Sequence, residues 1–249
     1  MMTRRSDGRA FHQLRRVTLR RGVMRFAEAS CLVEWGHTKV ICTATVDEKV
    51  PPFLRHSGTG WVTAEYGMLP RSSAQRIERE AMRGRVGGRT HEIQRLIGRS
   101  LRTVVDLTRL GERTVILDCD VIQADGGTRC ASITGGFVAL VEALRDLRKR
   151  RVLLTLPVKD FVAATSVGLV GGRPLLDLNY AEDASADVDM NIVMTGRGGF
   201  IELQGTAERT PLRHPDLTRL LRLAKTGIEQ LLSLQRKTLG ASSVRQLSP

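Results

Sequence analysis

From Val115 to Arg150 the chain passes through an apolar, β-rich stretch, two consecutive glycines and a long helical pattern, with no proline between them. A strand over Val115–Gln123 leads into a turn at Gly126–Gly127, and a helical pattern covers Ala131–Arg150. Further strand groups separated by helices repeat this arrangement, which restricts the fold to α+β or α/β layers with helices packed on sheets. Glycines at the turn let backbone amides approach a ligand closely, because no Cβ stands in the way. The new helix starts there with unpaired N–H groups and a partial positive charge, which suits an oxyanion. Thr128 adds a hydroxyl donor, and Arg129 a guanidinium fork that matches phosphate geometry. Standing alone, the same residues equally describe a sharp turn with an exposed arginine.

Upstream, Val17–Phe26, Ser30–Trp35 and Thr38–Val46 read as short strands of an antiparallel meander ended by Pro51–Pro52, and Trp61–Leu69 as another strand. Residues 70–88 change character. Arginines at 71, 76, 79, 83 and 85 face only Glu78 and Glu80, in a basic, mobile, partly helical excursion or in a solvated charged helix. Arg89–Leu107 reads as a helix with Ile93, Leu96, Ile97, Leu101, Val104 and Val105 on one stripe. Gly87–Gly88 precede it, so a second glycine turn delivers Arg89 to a second helix start. Gly135–Gly136 inside the Ala131–Arg150 helix imply close packing on a sheet. Leu153–Val170, Pro174–Gly196 and Phe200–Glu208 read as strands, and His214–Leu239 as the closing helix. The tail at 240–249 reads as disordered, and the opening residues as polar and loose at their start.

The charge is lopsided. Net charge is +13, and residues 1–102 hold 20 Lys and Arg against 9 Asp and Glu, while 103–249 hold 19 against 17. A basic face and a polyanionic partner or anionic substrate follow. Aromatics are only 4%, so a nucleic-acid surface here leans on charge more than on base stacking. The four cysteines (31, 42, 119 and 130) form no CxxC pair and lie in apolar stretches, as expected of reduced, buried thiols. No apolar run approaches the roughly 20 residues of a membrane span, and none follows the N-terminus as a signal peptide would, so a cytoplasmic, non-membrane protein is expected.

The run Glu182–Asn191 places Asp183, Asp187 and Asp189 between apolar strand-like segments. Asp187 and Asp189 share a face if extended, and Asp183 joins them if the chain bends at Ala184–Ala186. Clustered carboxylates suit magnesium or manganese, although an acidic loop answering nearby arginines has the same composition. Neither a P-loop nor HExxH nor GxSxG is present. Two arginine-bearing glycine turns and an acidic metal candidate have a joint logic. If inorganic phosphate is the nucleophile, no side-chain nucleophile is needed, only a means of holding two repelling anions in line.

The segments GWVTAEYGMLPR, GGRTHEIQRLIGRSLR, LDCDVIQADGGTR, ASITGGFVAL, EDASADVDMN and IELQGTAE resemble the bacterial RNase PH family from about Asp7 to Leu239. The resemblance implies a single domain over 1–249 with the α+β RNase PH fold, ribosomal protein S5 domain 2-like, with helices packed on mixed β-sheets. It implies a phosphate-dependent 3′-to-5′ exoribonuclease that trims precursor tRNA 3′ ends and releases nucleoside diphosphates, with a reverse reaction that adds nucleotides. It assigns phosphate to Arg89, Gly127, Thr128 and Arg129. Catalysis falls to Asp183, Asp189 and Arg89, a divalent metal (magnesium or manganese) to Asp183 and Asp189, and RNA to Arg71, Arg76 and Arg79. It also implies a homo-hexameric ring, a trimer of dimers. Cys130 departs from the threonine common after the phosphate arginine. A non-catalytic RNA-binding subunit of an exosome-like ring is the competing reading.

Overall fold

A computed structural model describes residues 5–240; the disordered tail expected from the sequence lies, beyond Gly240, outside the described residues, as do the first four positions.

Two sheets carry the fold. The first has the order β1-β2-β3-β5-β4, from Val17–Arg21 (β1), Ala29–Trp35 (β2), Thr38–Asp47 (β3), Trp61–Met68 (β4) and Thr114–Gln123 (β5). β1, β2 and β3 form the expected antiparallel meander, and β5 lies antiparallel to β3 and parallel to β4. The second sheet is antiparallel, in the order β7-β6-β8-β9, from Val162–Val170 (β6), Arg173–Leu176 (β7), Val188–Thr195 (β8) and Phe200–Ala207 (β9).

Helix α3 (Thr128–Lys149) packs on both sheets, and one cluster of buried apolar residues runs through them. From Thr128 to Leu144 every residue except Arg129 and Glu142 is buried, as expected of a helix enclosed on all sides. The sequence reading of Gly135 holds: a Cβ there would lie 2.1 Å from Val33 Cγ2 and 3.2 Å from Cys42 Sγ. Helix α5 (His214–Leu239) covers β6 and β7. Its buried Gln235 amide donates to Thr134 and Val162 carbonyls at 2.9 Å each, joining helix, helix and sheet. All four cysteines are buried and free.

Four expectations change. The strand read over Val17–Phe26 stops at Arg21, where Gly22 turns the chain at φ +66°. Helix α1 (Gly88–Thr103) ends before the two valines placed in it. Val104 and Val105 stay buried, but Val105 bridges to Val158, and Asp106 caps the short helix α2 (Leu107–Leu110) by accepting from Arg109 N at 3.1 Å. The strand expected from Leu153 starts only at Val162, after Pro157. The Pro174–Gly196 stretch is not strand throughout, because helix α4 (Tyr180–Ser185) interrupts it. Its cause is local: the Asn179 side chain accepts from Glu182 N at 3.0 Å while Glu182 accepts from Asn179 N at 3.0 Å, a complete capping box.

Candidate active site

The turn between β5 and α3 is built as its glycines require. Gly126 and Gly127 have φ of +75° and +68°, a left-handed pair that L side chains avoid. A Cβ on Gly126 would lie 2.7 Å from Leu178 O and 3.0 Å from Tyr180 N, so this turn touches the start of α4 backbone to backbone. Thr38 pins it from β3, donating to Gly126 O at 2.7 Å and accepting from Asp125 N at 2.9 Å. Thr128 opens α3 with its hydroxyl 2.9 Å from the Tyr66 hydroxyl. Burial pushes the Tyr66 phenol up, against the pull of Thr128, Arg89 and Arg129.

Beneath the turn lies a polar network that the sequence reading did not find. Asp177 is buried at a left-handed φ of +57°. It accepts from Trp35 Nε1 at 2.9 Å, from Arg15 N at 2.7 Å and from Arg15 Nη2 at 2.7 Å, and pairs with Arg9 at 3.3 Å. The Arg15 guanidinium also donates to the carbonyls of Asp125 and Gly126. Arg5 Nε donates to Glu182 at 2.6 Å, and its terminal nitrogens reach the carbonyls of Leu176 and Asp177. Residues 5–15 thus clamp both the glycine turn and α4. Their only sequence signal is a series of arginines at a polar N-terminal end.

Four elements converge on one cavity of about 960 Å³, bringing together Arg89, Gly127, Thr128, Arg129, Asp183 and Asp189. Arg89 stands in the first turn of α1. That turn is tied to residues 70–88 by Glu80, which accepts from Thr90 Oγ1 at 2.7 Å and Gly87 N at 3.2 Å. Arg129 is held from the side by Gln204 on β9 and lies 3.7 Å from Glu92 on α1. Asp183 sits on α4. Asp189 and Asn191 alternate along β8 with buried Val188, Met190 and Ile192, so both face the cavity. Cys130 lies behind Arg129, with its Sγ 3.3 Å from Asn191 Oδ1 and its thiol pushed up to about 12 by burial.

Asp187 does not join the pair. It precedes β8, accepts from Gly172 N at 3.4 Å and is absent from the cavity wall. Of the three arginines expected to meet RNA, Arg76 lines the cavity. Arg71 is exposed and donates to Ala74 O at 3.2 Å, and Arg79 is exposed before a short 3-10 turn at Glu80–Arg83. The segment is anchored, since Ala124 N donates to Ser72 O at 2.7 Å and Ile77 N to Pro70 O at 2.8 Å.

The carboxyls of Asp183 and Asp189 are both pushed up. Desolvation is the leading cause for each; Asp183 and Glu208 add to it at Asp189, while Arg129, Arg89 and Arg15 oppose it at Asp183. A divalent cation would offset the desolvation at both carboxyls and the repulsion between them. Among the described residues no group of three or more His, Cys, Asp or Glu is arranged to hold a metal ion. Two carboxylates fit an ion such as magnesium, which keeps waters and takes substrate phosphate oxygens as its remaining ligands. The cavity therefore offers both anion donors and hard oxygen ligands.

Known proteins of one family match this chain over most of its length. The 3′ exoribonuclease family, domain 1, matches residues 13–145, and domain 2 of the same family matches residues 160–227. Ribonuclease PH of Solibacter usitatus is 58% identical over 233 residues, covering 94% of this chain and 98% of its own. The Moorella thermoacetica protein of that name is 57% identical over 236 residues, covering 95% and 94%. That of Syntrophomonas wolfei is 56% identical over 236 residues, covering 95% and 99%. Among solved structures, rice Rrp46 superposes with a TM-score of 0.77 at 19% identity, over 95% of this chain and 100% of its own. The Archaeoglobus fulgidus exosome with RNA bound to the active site gives 0.79 at 22% identity, over 94% and 93%. These two likenesses establish the fold. With both domains matched in order and relatives more than half identical along nearly their full length, the chain belongs to the 3′ exoribonuclease family of RNase PH type.

Proposed function

We infer that this chain is a phosphorolytic 3′-to-5′ exoribonuclease that uses inorganic phosphate as co-substrate and RNA as substrate. The observation that carries the reading is the convergence of Arg89, Arg129 and the Gly127–Thr128 helix start with Asp183 and Asp189 on one cavity. Phosphate held by the two guanidinium groups and the Thr128 hydroxyl is presented to the last phosphodiester of an RNA 3′ end. A phosphate oxygen bonds to that phosphorus, the bond to the preceding 3′-oxygen breaks, and that oxygen takes a proton to become the new 3′ hydroxyl. The product is a nucleoside diphosphate. One phosphorylated bond replaces another of similar energy, so excess nucleoside diphosphate drives nucleotide addition.

Asp183 and Asp189 would hold a divalent cation, magnesium or manganese, which when bound neutralises charge on the phosphoryl group and the leaving oxygen. The arginines offset the mutual repulsion of phosphate and RNA, a service worth several kcal/mol at a desolvated site. Arg76 and, farther out, Arg71 and Arg79 contact the RNA backbone approaching the cavity. Precursor tRNA 3′ ends are the substrate we assign, in the cytoplasm, with six copies in a ring of three dimers and one RNase PH domain per chain. Closed symmetry of that kind would place the arginine-rich segments of neighbouring copies around shared RNA entrances.

A non-catalytic RNA-binding ring subunit is disfavoured because a binder of polyanions has no use for two carboxylates among its arginines. The test is incubation of a 3′-tailed RNA with magnesium, with and without phosphate. Nucleoside diphosphates formed only with phosphate are expected. Nucleoside monophosphates formed regardless of phosphate would refute the phosphate assignment, and tight binding without any product would favour the ring subunit.

A further inference from the structure

Tyr180 has no part in the chemistry above, yet it lines the same cavity with 68% of its surface exposed. It is the one aromatic residue among those lining the cavity, in a chain with only two tyrosines. The other, Tyr66, is buried against Thr128. Among the described residues, no ring and no cation packs on Tyr180 and no hydrogen bond holds its phenol hydroxyl, while its backbone N–H donates to Asp125 Oδ1 at 3.3 Å. Its backbone is nonetheless fixed, because Gly126 presses on residues 178–180 and the Asn179 capping box starts the helix at this position. Tyr180 and Asp183 are three apart on α4 and therefore neighbours on its surface.

A rigidly mounted, unoccupied aromatic face beside the reacting phosphodiester has an evident complement. We propose that Tyr180 is a stacking platform for the nucleobase of the RNA's 3′-terminal nucleotide, setting that nucleotide's position while its phosphodiester lies among Arg89, Arg129, Asp183 and Asp189. The proposal rests on the phosphorolytic reading of this cavity. A ring face accepts any base, because every base has a π-face, which suits an enzyme that removes nucleotides in succession without reading them.

The test pairs a change in the protein with a change in the RNA. Release of the first nucleotide is measured for RNAs ending in a normal or an abasic nucleotide, with the unaltered protein, Tyr180→Ala and Tyr180→Phe. Removing the base is expected to lower kcat/KM roughly tenfold or more in the unaltered protein and in Tyr180→Phe, and to have little effect in Tyr180→Ala. KM for inorganic phosphate should be the same in all three. An equal abasic penalty in Tyr180→Ala would overturn the proposal, and so would Tyr180→Phe behaving like Tyr180→Ala. A terminal 2-aminopurine, read by fluorescence without phosphate, separates the two readings. Quenching that depends on Tyr180, with no nucleoside diphosphate released once phosphate and magnesium are then added, would sink the phosphorolytic reading and leave the platform standing. Quenching unaffected by Tyr180→Ala would sink the platform alone.

Discussion

Asp189 is held on β8 with its carboxyl pushed up by desolvation and by two negative neighbours, Asp183 and Glu208. A raised folded-state pKa stabilises the fold only while the group is protonated. That contribution is fully present below the ordinary carboxylate value and is lost as pH rises through the folded one. At neutral pH without a cation, Asp189 therefore costs stability, and Asp189→Asn is expected to raise Tm at pH 7 while lowering turnover a hundredfold or more. The Tm difference should shrink toward pH 4, and thermal unfolding at the two pH values checks the sign. Arg89→Ala should cut phosphorolysis by about two orders of magnitude and leave RNA binding nearly intact, as the proposed role of Arg89 in holding inorganic phosphate requires; equal loss of both would remove Arg89 from that role. Gly126→Ala needs a Cβ 2.7 Å from a backbone oxygen at φ +75°. Its expected cost is about 2 kcal/mol or more in chemical denaturation.

Helix α4 shows where sequence reading reaches its limit. Long elements announced themselves: α1, α3 and α5 through helical periodicity, β1 to β5 through alternation and turn residues. The arginine, glycine and aspartate positions of the cavity were legible because short motifs carry them. Six residues are too few for a periodic signal, so the Asn179–Glu182 capping box is the only sign of α4 in the sequence, whose strand-like pattern places Asp183 just before a bend at Ala184–Ala186. The Asp177 network was invisible for another reason. Arg5, Arg9 and Arg15 meet Asp177 and Glu182 across 162 to 177 positions, and no local pattern encodes such a meeting. Asn179→Ala should cost roughly 1 kcal/mol through the lost cap. It should also lower kcat more than it raises KM for phosphate, since Arg89 and Arg129 stay in place while Asp183 loosens. Steady-state kinetics separates those two effects.

Across the whole molecule the charge is divided as the sequence shows, with the basic excess in the first 102 residues that also carry Arg76 and Arg89. RNA affinity should therefore fall steeply with salt, and Arg76→Ala should reduce the slope of log affinity against log salt by about 0.7, the value for one single-strand phosphate contact. A filter-binding series at several salt concentrations reads this directly. The clamp that residues 5–15 place on the cavity has a temporal side. Those arginines are made first, and Arg9 has Asp7 beside it, yet Asp177 and Glu182 arrive more than 160 residues later, so in a growing chain the clamp stays incomplete while the first sheet can already pair. Closing so long a loop is entropically slow relative to local helix and hairpin formation. A refolding chain should therefore regain its helical signal before its nuclease activity: an RNA-degrading centre that matures only when its N-terminal segment has met the Asp177–Glu182 stretch.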